Sequence, residues 1–276
     1  MKCPKTVMGH AVTRYEALSG GDIGQAFRLF IDTGESFFCK QYHHDMIAEK
    51  EAAGLQELAR CTALRIPRVI HAKGKTLILE YIQPQRPNKQ FYARFGSAVA
   101  QLHRFSSQTF GFTHDNYIGA TPQINTPEES WAFFFCEHRL APQVKWAVSR
   151  GAGEALQRCF SAARSSIETL LSQVTEPPAL LHGDLWGGNH CADEQGSPVL
   201  FDPAVYYGHR EADLAMTSLF GQFPRAFYRA YEEHFPRDKN EAARRPIYQL
   251  YHILNHYNLF GGSYRTQALR VLQQFV

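Results

Sequence analysis

The sequence holds 276 residues, enough for one large domain or two smaller ones with a substantial core. A formal net charge of +3, without any block of basic residues, argues against a nucleic-acid-binding protein. The longest strongly apolar run, WAFFFC, is too short to cross a bilayer, and the six scattered cysteines contain no C-x-x-C spacing. We therefore expect a cytoplasmic protein with reduced thiols, no membrane segment and no nucleic-acid partner.

A glycine-rich stretch, GGDIGQAF, comes just before the first clear strands. Its glycines, Gly20, Gly21 and Gly24, are candidates for a loop whose backbone N–H groups approach phosphates closely. The stretch lacks the G-x-G-x-x-G spacing, and Gly-Gly also occurs in ordinary turns. Taken alone, it does not decide between a phosphate-binding loop and a plain turn.

Two short runs rich in apolar and aromatic residues follow, FRLFI at 27–31 and SFFCKQY at 36–42. They predict two strands joined by a hairpin turn at residues 32–35. Alternation along the second strand puts Lys40 on the same face as the aromatic residues two positions before and after it. An isolated lysine in such a place is most simply an edge residue whose stem packs on the sheet.

The next segment, 46–60, has the apolar spacing of a helix, with Asp45 as a candidate N-cap. Glu51 falls on the apolar stripe of this helix, and a carboxylate buried there requires a partner. Lys40 on the preceding strand is the obvious one. A strand lysine paired with a helix glutamate is how kinase-like folds hold the phosphates of ATP, which favours a functional role for Lys40.

The residue pattern changes near residue 83. TLILEYI at 76–82 predicts one more strand, whereas the later segments predict mostly helices. The fold class is therefore α+β, with a small β-rich lobe at 1–83, a larger, mostly α-helical lobe at 84–276 and a hinge at 83–88. Helices are predicted at 91–105, 152–173, 211–220, 223–234 and 241–259, and another is predicted to open with a capping box at Thr126, Pro127, Glu128 and Glu129.

HGDLWGGN at 182–189 combines turn-forming residues with a carboxylate and an amide, and PVLFD ends shortly afterwards in Asp202. Asp184 and Asn189 have the D-x-x-x-x-N spacing that, in kinase-type phosphoryl transfer, presents a base and a Mg²⁺ ligand from one loop. The downstream aspartate suits the same ion, because Mg²⁺ prefers oxygen ligands. His182 is expected to brace the loop. The alternative is an Asx-rich turn with an accidental spacing.

These features follow one another in the order of a kinase, and the chain resembles the fructosamine kinase (ketosamine 3-kinase) family. That family belongs to the aminoglycoside-phosphotransferase-like branch of the protein-kinase-like fold. The resemblance covers essentially the whole length and rests on HGDLWGGN, LFDPAVYYGHREADLAM, FGFTHDNYIGATPQIN, SWAFFFCEHRL, FCKQY with EKEAAGLQEL, and LNHYNLFGGSY. HGD in place of HRD and DPA in place of DFG separate the chain from protein kinases. The resemblance implies a bilobal protein-kinase-like fold.

The resemblance also implies roles for individual residues. Asp184 would be the catalytic base, and Asn189 and Asp202 would hold Mg²⁺. Lys40 would contact the phosphates of ATP while Glu51 holds the lysine in place.

The remaining implied roles concern the adenine, the loop backbone and the sugar. The adenine hinge would be formed through the backbone of Glu80, Tyr81 and Ile82. Asp213 would be a buried acid that ties down the backbone of the catalytic loop. Trp186 and Asn116 are candidates for the sugar side of the site, with plain core packing as the alternative for Trp186.

The activity implied by the resemblance is an ATP- and Mg²⁺-dependent phosphorylation of a sugar hydroxyl in ketosamines. The substrates would be ribulosamines or fructosamines on protein lysines or on small amines, and phosphorylation at the 3-position would destabilise the adduct and restore the amine. Two alternatives stay open: a kinase of another acceptor, such as an aminoglycoside, choline or a free sugar, and a nucleotide-binding pseudokinase. We expect a monomer.

Overall fold

An antiparallel sheet forms the N-terminal part of the computed structural model, which describes residues 4–18 and 24–276. Six strands within these residues are hydrogen-bonded in the order β1-β2-β3-β4-β6-β5. The elements of this part are β1 (Thr6–Val7), β2 (His10–Leu18), β3 (Gly24–Ile31), β4 (Ser36–Tyr42), α1 (Ile47–Leu58), β5 (Val69–Lys73) and β6 (Thr76–Glu80).

The strands predicted from the sequence are present. β3 begins at Gly24, slightly before the predicted start, β4 matches the prediction, and β6 ends at Glu80. The predicted hairpin turn joins β3 to β4, with Gly34 at a positive φ of 88°. Sequence periodicity does not reveal β2 or β5, because few of their side chains are buried.

The two faces of the sheet bury different groups. Phe37 and Cys39 of β4 belong to an apolar cluster on one face. Lys40 and Tyr42 of the same strand point the other way, where both side chains reach Glu51 of α1. The predicted alternation along β4 is therefore confirmed, and it places the only charged side chain of this strand against the helix.

Helix α1 is confirmed but shorter than the predicted 46–60. The predicted N-cap, Asp45, is wrong, because Met46 turns into the left-handed region at a φ of 73° and is itself the residue that precedes the helix. Met46 makes no side-chain capping bond. A cap predicted from residue type alone misses such a turn, since the backbone conformation before the helix decides which residue occupies the cap.

The larger lobe is mostly helical. Its elements in chain order are α2 (Phe91–Leu102), β7 (Asn116–Ile118), β8 (Thr121–Gln123), α3 (Trp131–Phe134), α4 (Ala141–Ala147), α5 (Glu154–Leu171), β9 (Ala179–Leu181), β10 (His190–Ala192), β11 (Pro198–Leu200), β12 (Tyr206–Gly208), α6 (Glu211–Met216), α7 (Arg225–Glu232), α8 (Glu241–Phe260) and α9 (Tyr264–Leu272). Wider π-helical turns at Phe135–Leu140 connect α3 to α4. The predicted helices correspond to α2, α5, α6, α7 and α8 with adjusted bounds, which confirms the bilobal α+β class.

The predicted capping box at Thr126 to Glu129 is wrong. The backbone of Glu128 pairs with Phe110 through two hydrogen bonds of 2.9 Å, so this stretch is extended rather than helical. Helix α3 begins only at Trp131, and its cap is Ser130, whose side chain accepts a hydrogen bond from the Phe133 N–H. Residues 126–129 have the side chains of a capping box, but backbone pairing of Glu128 with Phe110 keeps this stretch extended.

Two short strand pairs present the loops of the site. β9 pairs with β12, so that Leu181 lies opposite Tyr206, and β10 pairs with β11. The loop at 182–189 leaves β9 and enters β10, whereas residues 201–205 run from β11 to β12. Both loops therefore emerge at the same place, and this topology brings the two predicted aspartates together.

A charged cluster fixes the start of α6 from outside the site. Arg210 donates two hydrogen bonds to Glu176, at 2.8 and 2.7 Å, and His209 Nε2 lies 3.3 Å from the same carboxylate. Burial alone would raise the pKa of Glu176, but hydrogen bonds from His209 and Arg210 outweigh it and lower the pKa to about 2. The cluster therefore ties the segment between α5 and β9 to the start of α6.

Candidate active site

The loop at 182–189 is held by a buried carboxylate. Asp213 of α6 accepts hydrogen bonds from the backbone N–H groups of His182, at 2.8 Å, and Gly183, at 2.9 Å. His103 Nε2 lies 3.2 Å from the same carboxylate. Although burial raises the pKa of Asp213, hydrogen bonds from His103 and from the Gly183 backbone N–H lower it below its usual value. Asp213 thus fixes the loop backbone, as the sequence indicated.

His182 braces the loop from inside. Its Nε2 lies 3.0 Å from the Phe201 carbonyl oxygen and its Nδ1 lies 3.2 Å from the Asp184 backbone N. Nε2–H therefore donates and Nδ1 accepts, which requires a neutral ring; burial favours that state by lowering the pKa of His182. Gly183 has a φ of 83°, and a Cβ there would lie 2.0 Å from the Ala204 carbonyl oxygen. The two site loops consequently pack backbone to backbone.

Asp184 stands at the edge of the cleft with 21% of its side chain exposed. Asn189 donates from Nδ2 to both the backbone oxygen of Asp184, at 2.8 Å, and its Oδ2, at 2.9 Å. Burial raises the pKa of Asp184 to about 7; the Asn189 hydrogen bond opposes this shift and the charge of Asp202 adds to it. The carboxylate is thus oriented by an amide at the edge of the cleft.

Lys40 joins the two lobes at the site. Its Nζ lies 3.4 Å from Glu51 Oε2 and 2.9 Å from Asp202 Oδ1, so the predicted lysine–glutamate pair is present and Asp202 shares it. Tyr42 donates a short hydrogen bond to Glu51. Burial alone would lower the pKa of Lys40, but the Asp202 and Glu51 carboxylates outweigh it and raise the pKa above its usual value. Lys40 therefore carries a full positive charge in the cleft.

Asp202 occupies a strained turn. Its φ of 54° lies in the left-handed region, which a side chain other than glycine rarely adopts. Such strain costs on the order of 1–3 kcal/mol and persists where surrounding contacts enforce it. The enforcing contacts here include the ion pair to Lys40 and the long Asn189 contact to the Asp202 carbonyl, at 3.5 Å.

The structure describes only some of the residues that were predicted to contact the nucleotide. Gly20 and Gly21 lie outside the described residues. Gly24 opens β3, and a Cβ there would lie 2.3 Å from the Gln41 carbonyl oxygen, so close pairing with β4 requires a glycine. Glu80 turns its carboxylate towards Arg65, which donates a hydrogen bond to it at 2.6 Å.

One cavity of about 660 Å³ between the lobes brings together the predicted site residues outside the glycine-rich stretch, and Gly24 does not line it. Its walls include Lys40, Glu51, Glu80, Tyr81, Ile82, Asn116, Asp184, Trp186, Asn189 and Asp202. Lys40, Asp184, Asn189 and Asp202 therefore line a space large enough for a nucleotide-sized ligand.

A family model described as fructosamine kinase matches residues 3–276. The chain belongs to the fructosamine kinase family. A probable ketoamine kinase of Synechocystis sp. is 42% identical over 94% of this chain and 88% of its own. A chloroplastic protein-ribulosamine 3-kinase of Arabidopsis thaliana is 37% identical over 96% of this chain and 83% of its own. Membership of this family makes the chain an enzyme of the kinase class.

Solved structures agree with this assignment. A crystal structure from Thermobifida fusca, assigned as a fructosamine-3-kinase, superposes with a TM-score of 0.87 at 33% identity, covering 97% of this chain and 94% of that one. An ADP-bound aminoglycoside phosphotransferase superposes with a TM-score of 0.61 at 14% identity, covering 96% and 95%. At that identity the second match shows the shared kinase-like fold alone.

The carboxylate oxygens in the cavity of this fructosamine kinase family member suit a divalent cation that is also coordinated by phosphates. The negative charge of Asp202 raises the pKa of Asp184, so the two carboxylates repel each other and a cation between them would relieve the repulsion. In the described part of the chain, no group of three or more His, Cys, Asp or Glu side chains could hold a metal by itself. That combination suits Mg²⁺, which typically takes one or two carboxylates and completes its shell with phosphates and water.

The sugar-side candidates lie in different settings. Trp186 is half-buried, and its ring stands edge-on to Phe220 at 6.2 Å, the first of several rings that continue to His256 and Phe260. Asn116 is buried, with its amide donating to the Val205 carbonyl at 2.7 Å. The Trp186 ring is thus accessible to a ligand, whereas Asn116 braces the backbone behind Asp202.

Sequence reasoning missed two polar residues of the site. Tyr42 is the hydrogen-bond donor to Glu51, although alternation had placed it on the correct face. His252 on α8 is buried with Nδ1 3.7 Å from Asp184 Oδ1, and it belongs to none of the motifs that the sequence analysis singled out. A histidine on a helical stripe carries no spacing signal that would distinguish a site role from plain packing.

No described helix is long and apolar enough to span a membrane.

Proposed function

We propose that this protein transfers the γ-phosphoryl group of ATP, with Mg²⁺, to a sugar hydroxyl of ketosamines. The observation that carries the proposal is the single cavity in which Lys40, Asp184, Asn189 and Asp202 meet in a fructosamine kinase family member. The relatives named ketoamine kinase and protein-ribulosamine 3-kinase support the choice of acceptor. The product would carry phosphate at the sugar 3-position, which would destabilise the adduct and restore the amine.

Asp184 is the proposed catalytic base. It accepts a hydrogen bond from the attacking hydroxyl, orients the oxygen towards the phosphorus and takes the proton as the bond to phosphorus forms. Asn189 fixes the carboxylate in this role through the 2.9 Å bond to Oδ2. A positioned base of this kind contributes about 10²- to 10⁴-fold to the rate.

Lys40 and Glu51 form the proposed phosphate clamp. The lysine is held at the cleft by Glu51, so it can donate to phosphate oxygens without a search through side-chain rotamers. Asn189 and Asp202 are the proposed Mg²⁺ ligands. Mg²⁺, when bound, would supply neutralisation of the charge on the transferring phosphoryl group.

The nucleotide is proposed to lie under the N-terminal lobe. Gly20 and Gly21 belong to the proposed phosphate loop, which would end where Gly24 opens β3. The backbone of Glu80, Tyr81 and Ile82 belongs to the proposed adenine hinge. Tyr81 and Ile82 of this proposed hinge both line the cavity. Residues 83–88 are the proposed junction between lobes at 1–83 and 84–276.

The acceptor is proposed to lie beside Trp186, with the sugar ring on the indole and the amine substituent towards the rings of Phe220 and His256. Sugar rings present C–H groups that pack on aromatic faces, and a protonated amine gains a cation–π attraction there. We propose a monomer in the cytoplasm, which acts on free or protein-bound ketosamines.

The test is ADP production with Mg-ATP against ribulosyl-lysine, fructosyl-lysine, an aminoglycoside, choline and free ribulose. Turnover confined to the ketosamines is expected. The matched variant Asp184→Asn should lose turnover and still bind ATP in calorimetry. Turnover only on another acceptor would overturn the ketosamine proposal and keep the kinase, whereas ATP binding without turnover on any acceptor would favour a pseudokinase.

A further inference from the structure

His252 faces the reactive carboxylate from the opposite side to Asn189. It sits on α8, is 4% exposed, and its Nδ1 lies 3.7 Å from Asp184 Oδ1. Asn189 already donates to the other carboxylate oxygen, Oδ2, at 2.9 Å. Each oxygen of the carboxylate thus has one nitrogen directed at it, from two different elements of the fold.

The Nδ1 atom of His252 has no hydrogen-bond partner among residues 4–18 and 24–276. A buried polar atom without a partner costs on the order of 1–3 kcal/mol, so its presence calls for a compensating contact. Asp184 Oδ1 is the carboxylate oxygen that lies opposite it. A movement of less than an ångström would bring the pair to hydrogen-bonding distance, and catalytic hydrogen bonds are often long before substrate binds.

Aromatic residues of the same helix lie beside His252. Tyr251 packs against it with ring centroids 5.2 Å apart, and the Tyr251 hydroxyl is itself held by Gln123 at 2.8 Å. One helical turn further on, His256 Nδ1 lies 2.8 Å from the His252 carbonyl oxygen. Burial lowers the pKa of His252 to about 3, so the ring is neutral and carries one proton that either nitrogen can hold.

We propose that His252 is a positioning residue whose Nδ1–H donates to Asp184 Oδ1 during phosphoryl transfer. Together with the Asn189 amide, it holds the carboxylate plane so that a remaining lone pair points at the acceptor hydroxyl. The proton stays on His252 throughout, and no proton passes to it from Asp184. The role rests on the proposed function of Asp184 as the base.

Three variants separate this role from simple packing. His252→Phe keeps the ring volume and removes the donor, and His252→Asn keeps a side-chain N–H near the position of Nδ1. His138→Phe is the control, since this half-buried histidine pairs with Glu128 away from the cavity. Melting temperature, kcat and KM for ATP would be measured for each with the best ketosamine.

For His252→Phe we expect kcat to fall by about 10- to 100-fold, which corresponds to the loss of one hydrogen bond to a charged group. KM for ATP and the melting temperature should stay unchanged. His252→Asn should recover most of kcat, and His138→Phe should keep it. Wild-type kcat in both position-252 variants would overturn the proposal. If the His252→Phe protein fails to fold, the ¹⁵N spectrum of the wild-type imidazoles tests the proposal instead.

A ¹⁵N spectrum of the wild-type imidazoles at neutral pH reads the tautomer without any turnover. A proton on His252 Nδ1 supports the proposal, and a proton on Nε2 with bare Nδ1 overturns it. Failure of the proposed function would instead appear as absent ketosamine turnover by the wild type. The two failures are therefore distinguishable.

Discussion

Asp213→Asn tests whether one carboxylate holds the catalytic loop. Both oxygens of Asp213 are in use: Oδ1 accepts from the Gly183 N–H, and Oδ2 faces the His182 N–H and His103. Asparagine offers one oxygen and one NH₂ group. Whichever way the amide turns, a donor meets a backbone N–H, and at least one buried N–H loses its acceptor.

The structure sets the size of the effect. A buried N–H without an acceptor costs about 1–3 kcal/mol, and a lost hydrogen bond to a charged group about 1.5–3 kcal/mol. Because Asp213 is only 1% exposed, water cannot replace either contact, so we expect about 3–5 kcal/mol of destabilisation in total. For a chain of this length that corresponds to a melting temperature lower by about 5–9 °C.

Calorimetry and steady-state kinetics measure the two consequences of the change. Displacement of the loop by an ångström should lower kcat by about 100-fold, since a catalytic base loses its alignment. Asp238→Asn is the control, because this carboxylate also pairs with a buried arginine but is 43% exposed, and it should cost about 1 kcal/mol or less. Wild-type melting and kcat in Asp213→Asn would refute the reasoning.

Three further substitutions test other parts of the molecule. Gly183→Ala should destabilise the folded protein by at least about 1–2 kcal/mol and abolish turnover. The residue has a left-handed backbone conformation, and its Cβ would collide with the Ala204 carbonyl oxygen. A melting curve measures the loss of stability. Lys40→Met should lower kcat by about 10²–10³-fold and weaken ATP binding by calorimetry, with an unchanged kcat counting against the clamp. Glu176→Gln should lower the melting temperature at pH 7, but the difference should shrink as pH falls from about 4.5 towards 2. The folded pKa lies below the unfolded one, so this stabilisation exists above the unfolded value and is lost on acidification.

The parts that periodicity encodes were predictable from the sequence. Strand alternation and the apolar stripe of α1 place Lys40 opposite Glu51, and the structure has them 3.4 Å apart. Both patterns are local, and burial of one face enforces them. The same reasoning cannot reach β2, because most of its side chains are exposed and leave no apolar signature.

The helix caps show where local signals fail. Asp45 and the Thr126 box are sound capping residues, yet the helices begin elsewhere. Met46 adopts a left-handed turn at one site, and Phe110 pairs with Glu128 at the other. A cap stabilises a helix by about 1 kcal/mol, which two backbone hydrogen bonds and the packing around them outweigh.

The partner of Asp202 could not be predicted from either loop alone. Lys40 Nζ lies nearer to Asp202, at 2.9 Å, than to the predicted Glu51, at 3.4 Å, because the strained turn aims that carboxylate across the cleft. If Asp202 binds the cation as proposed, the cation competes with Lys40 for the Asp202 carboxylate. The proposed contact of Lys40 with nucleotide phosphates would break the same ion pair from the other side. Binding of the two should consequently be cooperative, since each removes a contact that opposes the other. The Lys40–Asp202 ion pair is thus the contact that the proposed cation and nucleotide would rearrange on binding.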